Sequence, residues 1–128
     1  MSGNINFNGW INDDGSENYK CRAWVNFNGQ GTVAIRAAGN VSSITDIGSG
    51  DYIVNFAVEM PDTNYSALGT WSTTDPTWDG AYLNAMVIGG TRSGGSFTAY
   101  YTTTQLGVCN YAGNYFVDVE QVNIAIFR

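Results

Sequence analysis

Between Cys21 and Phe56 the chain reads CRAWVNFNG, GTVAIR, NVSSITD and GDYIVNF, short runs of alternating apolar and polar residues cut by glycine and asparagine. A half-buried β-strand sends successive side chains to opposite faces, whereas a helix needs apolar residues every three to four positions. Cys21, Ala23, Val25 and Phe27 therefore share one face of a first strand, and Arg22, Trp24 and Asn26 share the other. Tyr52, Val54, Phe56 and Val58 line one side of the last strand in this stretch. Helical spacing is sustained nowhere, so the fold class is all-β, built of consecutive antiparallel strands.

A chain of 128 residues suits one domain with a real core. Its 16 glycines and 2 prolines fit many short strands joined by tight turns. Charged residues make up only 12%, against roughly a quarter in an average protein. Amides and hydroxyls must then solvate the surface, and other protein is expected to cover part of it. Five basic and eleven acidic residues give a net charge of −6, which argues against nucleic acid and against anionic lipid. No apolar run approaches the ~18 residues of a transmembrane helix, so no membrane insertion is expected. The start, MSGNINFNGWINDDG, lacks the basic and apolar parts of a signal peptide and predicts a product made in a cytosol.

The absence of histidine removes His-based general bases, Ser-His-Asp arrangements and His-ligated metals. Cys21 and Cys109 are far apart and are read as two small buried side chains rather than a disulfide or a zinc site. Asp13-Asp14-Gly15-Ser16-Glu17 lacks the ligand spacing of a calcium loop and is read as a solvated turn. No cofactor or metal is expected.

Local signals set the register. The turn at Asn28-Gly29-Gln30-Gly31 predicts a hairpin that puts Val33 and Ile35 on the face of Val25 and Phe27. Ala37-Ala38-Gly39-Asn40 is read as the next turn. Val41 and Ile44 are three apart, so a bulge is expected near Ser42-Ser43. The loop 46–50 then leads into a strand over 51–58, which Met60-Pro61-Asp62 ends.

In this order, CRAWVNFNG, GTVAIR, NVSSITD, GDYIVNF and MPDTNY resemble a family of bacteriophage virion proteins, best known as the C-terminal domain of tail fibres from phages of aquatic bacteria. The resemblance is dense over residues 21–65 and loose over 117–128, where VNIAIFR resembles the family's hydrophobic closing strand. It implies an antiparallel β-sandwich-like head that assembles as a trimer in the virion, with attachment or structural duty and no catalysis. Family members carry this module at the end of a long fibre. Here 20 residues precede it, a lead of about 70 Å at full extension. The expectation is a knob on another protein, a short spike or a capsid decoration. Residues 1–20 would be an arm laid on other virion proteins, with Trp10 filling a pocket, and residues 21–128 the head.

Further along, YSALGTWSTTDPTWDG holds a short strand and then a loop with Trp71, Asp75, Trp78 and Asp79. Residues 81–88 are apolar on both faces: Leu83, Ala85 and Val87 on one, Tyr82, Met86 and Ile88 on the other. A strand with one wet face does not read this way, so Tyr82, Met86 and Ile88 are assigned with Trp10 to an oligomer interface. Residues 89–95 are a flexible turn, and Phe97, Ala99 and Tyr101 alternate with polar partners beyond it. Residues 108–114 form a second candidate recognition loop, with Asn110 and Tyr111. Val117, Val119, Val122, Ile124 and Ile126 close the sheet, with a parity slip near Gln121.

Asp75 and Asp79 beside two tryptophans resemble a sugar-cleaving pair only superficially, since loop aspartates commonly cap turns. Glycan binding fits the composition better, because flat rings stack on sugars while amides and carboxylates meet hydroxyls. Trp71, Asp75, Trp78, Asp79, Asn110 and Tyr111 are the candidate contacts, against the plain alternative that each tryptophan is packed. The leading expectation is a receptor-facing knob that binds a host cell-surface polysaccharide or protein. A capsid decoration protein is the alternative, and a polysaccharide-degrading enzyme stands third.

Overall fold

The computed structural model describes residues 4–6, 9–11, 14–15, 20–74, 84–92 and 96–128, and among these it contains strands and no helix. β1 (Asn4–Asn6) and β2 (Gly9–Ile11) pair with each other. Then come β3 (Cys21–Asn28), β4 (Ala34–Gly39), β5 (Val41–Gly48), β6 (Asp51–Phe56) and β7 (Ser66–Ser72). After these follow β8 (Asn84–Ile88), β9 (Gly90–Thr91), β10 (Thr98–Ala99), β11 (Gln105–Ala112), β12 (Tyr115–Phe116) and β13 (Gln121–Phe127). All pairings of these strands are antiparallel.

Two sheets face each other across one core in a sandwich-like arrangement. One runs β4-β3-β13-β7; the other runs β5-β6-β11, with β8 on the far side of β11 and β12 beside β11 beyond the end of β6. Alternation decides what enters the core. Ala23, Val25 and Phe27 of β3 and Val122, Ile124 and Ile126 of β13 meet Tyr52, Val54 and Phe56 of β6 and Leu106, Val108 and Ala112 of β11. Each of the valine, leucine, isoleucine and phenylalanine side chains among them contributes roughly 1.5–3 kcal/mol when fully buried.

The expected register holds where β3 turns into β4, since Ile35 lies opposite Phe27. Ile35 stays more than a third exposed because β4 is an edge strand, and Val33, just outside it, packs on the core. The bulge expected near Ser42 is present, as the register shifts between Val41 and Ser43. The turn expected over residues 37–40 is shorter: Ala37 and Ala38 remain in β4, and the chain pivots at Asn40, with φ 54°. Asn40 carries the chain from one sheet to the other. Its Nδ2 donates to the carbonyls of Arg22 and Val58, and its Oδ1 accepts from the Val58 N–H.

Other local expectations need correction. Val58 lies past the end of β6 and is 70% exposed, because the strand stops at Phe56. Cys21 is exposed at the start of β3, so only Cys109 is a buried thiol, and both are unpaired. Residues 108–114 are mostly strand rather than loop, since β11 runs to Ala112 and turns at Gly113-Asn114. The strands with both faces covered are β6 and β11, whereas β8 leaves Ala85 and Val87 exposed.

The reason is a long-range crossing. Past β8, the N–H of Gly89 donates to the Gly107 carbonyl, and the N–H of Gly107 donates to the Tyr100 carbonyl, which anchors this segment to β11. The hairpin β9–β10 then leaves the sheet edge and lies over β11, where Gly90 touches Gly107 so closely that a Cβ on Gly107 would come within 2.7 Å of the Gly90 backbone. Beyond it, the Arg92 N–H donates to Asp51 Oδ2 at 2.9 Å, reaching β6. Glycine at position 107 is what lets one backbone lie on another, while a Cβ on Gly90 would meet the Phe97 ring and the Thr98 carbonyl.

Candidate functional site

Where this hairpin bridges the sheet it leaves a cavity of about 430 Å³, lined by Val87, Arg92, Phe97, Cys109, Tyr111 and Phe116. Strand register builds its floor. Residues directly opposite on antiparallel strands point to the same face. One row is therefore Asp51–Cys109–Val87 and the next is Phe116–Tyr111–Ala85, all on the outer face of the five-stranded sheet. The Tyr111 and Phe116 rings meet edge to face, with centroids 5.1 Å apart at 73°. The two-residue turn between Ala112 and Tyr115 is what places them side by side. Phe97, 59% exposed, comes down from the hairpin as a third aromatic wall, and Arg92 supplies a cation.

The polar groups under the floor are committed. Asp51 is buried; its Oδ2 accepts from the Arg92 N–H, and its Oδ1 lies 3.3 Å from the Cys109 thiol. The thiol also lies 3.3 Å from the Gly90 carbonyl. Burial, followed by the Asp51 carboxylate, pushes the Cys109 thiol up to about 12. It therefore stays protonated near neutral pH and acts as a donor that fastens the roof to the floor, not as a thiolate nucleophile. Among the described residues no cluster of Cys, Asp and Glu has the geometry to hold a metal ion.

The structure separates the residues singled out from sequence. Tyr111 lines the cavity. Asn110 does not: neighbours along a strand face opposite ways, so its amide points between the sheets, fully buried. Trp71 belongs to β7 rather than to a loop; it packs against the core, and its indole N–H donates to the Ala85 carbonyl at 3.1 Å. Its ring thus closes the seam between β7 and β8. Met86 and Ile88, assigned from sequence to an oligomer interface, are partly buried and pack against the chain's own core. Asp75, Trp78, Asp79 and Tyr82 lie outside the described residues, as does the side chain of Trp10, whose backbone belongs to β2. Sequence reading missed Arg92, Phe97 and Phe116. Alternation around Tyr111 does place Phe116 across a two-residue turn, but nothing local brings residues 92 and 97 over that strand.

No family model, curated protein or solved structure matches this chain.

Proposed function

We propose that this chain is a bacteriophage virion surface protein, a small receptor-facing knob that assembles as a trimer and holds a host-surface glycan in the aromatic cavity. The observation that carries the binding role is the cavity itself: three aromatic rings and one cation around roughly 430 Å³, within the usual range for small-molecule sites. Tyr111 and Phe116 offer faces for a sugar ring. The committed Asp51 and the protonated Cys109 give the floor a structural task, which favours binding over bond cleavage. The virion setting rests on the ordered motifs between residues 21 and 65.

Self-association has its own support on the opposite side of the molecule. Trp24, Leu68 and Phe127 are each 40% or more exposed and share the outer face of the four-stranded sheet. Ala125 sits between Trp24 and Leu68, so a shallow apolar groove runs across three strands. Copies that cover this face leave the cavity side free.

Adsorption tests the reading. Free wild-type protein added to host cells should block phage adsorption, and Tyr111→Ala should need roughly tenfold more protein for the same block. That factor corresponds to about 1.4 kcal/mol, the scale of one lost aromatic contact. Adsorption that stays normal at saturating free protein would overturn it.

A further inference from the structure

Among the described residues that line the cavity, Arg92 is the cation. Arg92 fixes its main chain through the N–H bond to Asp51, and among the described residues its guanidinium has no ion pair or hydrogen bond. Two other arginines are engaged: Arg22 donates to the Arg128 carbonyl, and Arg128 bridges Asp62. Arg92 is exposed, yet close enough to the floor for its positive charge to act on the Cys109 thiol. A chain with net charge −6 thus presents an unpaired guanidinium beside three aromatic rings.

We infer that the cavity selects a saccharide bearing a carboxylate, with the sugar ring against Tyr111 and Phe116 and the carboxylate on the Arg92 guanidinium. This rests on the glycan-binding reading above and names the class of glycan. The planar fork of a guanidinium matches a carboxylate through two parallel N–H···O bonds. Charge also limits the choice. One guanidinium, with the Asp51 carboxyl behind it in an acidic chain, balances a single negative charge better than the nearly two charges of a phosphate monoester. A neutral sugar would leave the guanidinium with water alone, gaining nothing from its position.

The test is an array of microbial polysaccharides in which each uronate-bearing member is printed beside its carboxyl-reduced form. Wild-type protein should bind acidic members at least tenfold more tightly than their reduced partners, and added salt should weaken only the acidic set. Arg92→Gln should abolish that preference, while Arg92→Lys should keep part of it. Neither change touches the main-chain bond to Asp51, so both variants should fold, as circular dichroism would verify. Equal binding of acidic and reduced members, or a preference that survives Arg92→Gln, would overturn the inference and leave the glycan reading standing. Binding to no member would overturn both.

Discussion

Asn110 places a whole amide on the inner face of β11, in line with Leu106, Val108 and Ala112, and both its Nδ2 and Oδ1 are buried without a partner. A buried polar group left unsatisfied costs about 1–3 kcal/mol. Valine at this position removes the amide, adds little volume and suits a strand. Asn110→Val should therefore raise the urea midpoint by the equivalent of about 1–2 kcal/mol without changing the slope of the transition. A lower midpoint would mean that a buried water serves the amide in solution. The sequence held the clue, because the parity of Leu106 and Val108 points position 110 inward. Its polar type and the nearby Gly113 suggested a loop instead, and composition outweighed alternation in that reading. Asn40 was legible in the other direction: an asparagine after glycine tolerates a left-handed backbone, and there the chain turns.

At the level of elements, two carboxylates pin strand ends. Asp62 meets Arg128, just past β13, through two bonds of 2.9 and 2.8 Å, and Arg128 with the Asn64 backbone holds its carboxyl down to about 2. Glu120 accepts from the Thr74 N–H and hydroxyl, past the end of β7; its own backbone N–H, Thr73 and Thr74 hold it near 2 as well. Both values are depressed from the unfolded range of roughly 4. The linkage is then stabilising in full above that range and is lost as pH falls through about 2. Asp62→Asn with Glu120→Gln should flatten the fall in urea midpoint between about pH 4.5 and 2, and an unchanged acid limb would refute the assignment. Strand existence, the first hairpin register and the Ser42 bulge were readable because each depends on a few neighbouring residues. Which strand has both faces covered was not, since the cover on β6 and β11 comes from residues 89–92 and 96–101, distant in sequence from β6.

For the molecule as a whole, the all-β class and the antiparallel pairing follow from alternation over most of the chain. Apolar surface was expected on residues 81–88, where Met86 and Ile88 are partly buried and pack against the chain's own core. The open apolar face is that of Trp24, Leu68 and Phe127. The two possibilities separate by mutation. Leu68→Asp, on the exposed face, should reduce the oligomeric mass in light scattering while the circular dichroism spectrum is kept. Met86→Asp should lower stability, because a charge enters a packed interior. Wild-type protein that scatters as a single chain would refute self-association.

The roof of the cavity is fastened almost wholly through main-chain atoms: Gly89, Tyr100 and Gly107 to one another, and the Arg92 amide to Asp51. Backbone fastenings are indifferent to what side chains hang from them. Substitutions around positions 92 and 97 can thus change the lining of the cavity at little cost to the scaffold beneath, so one framework can carry many different surfaces.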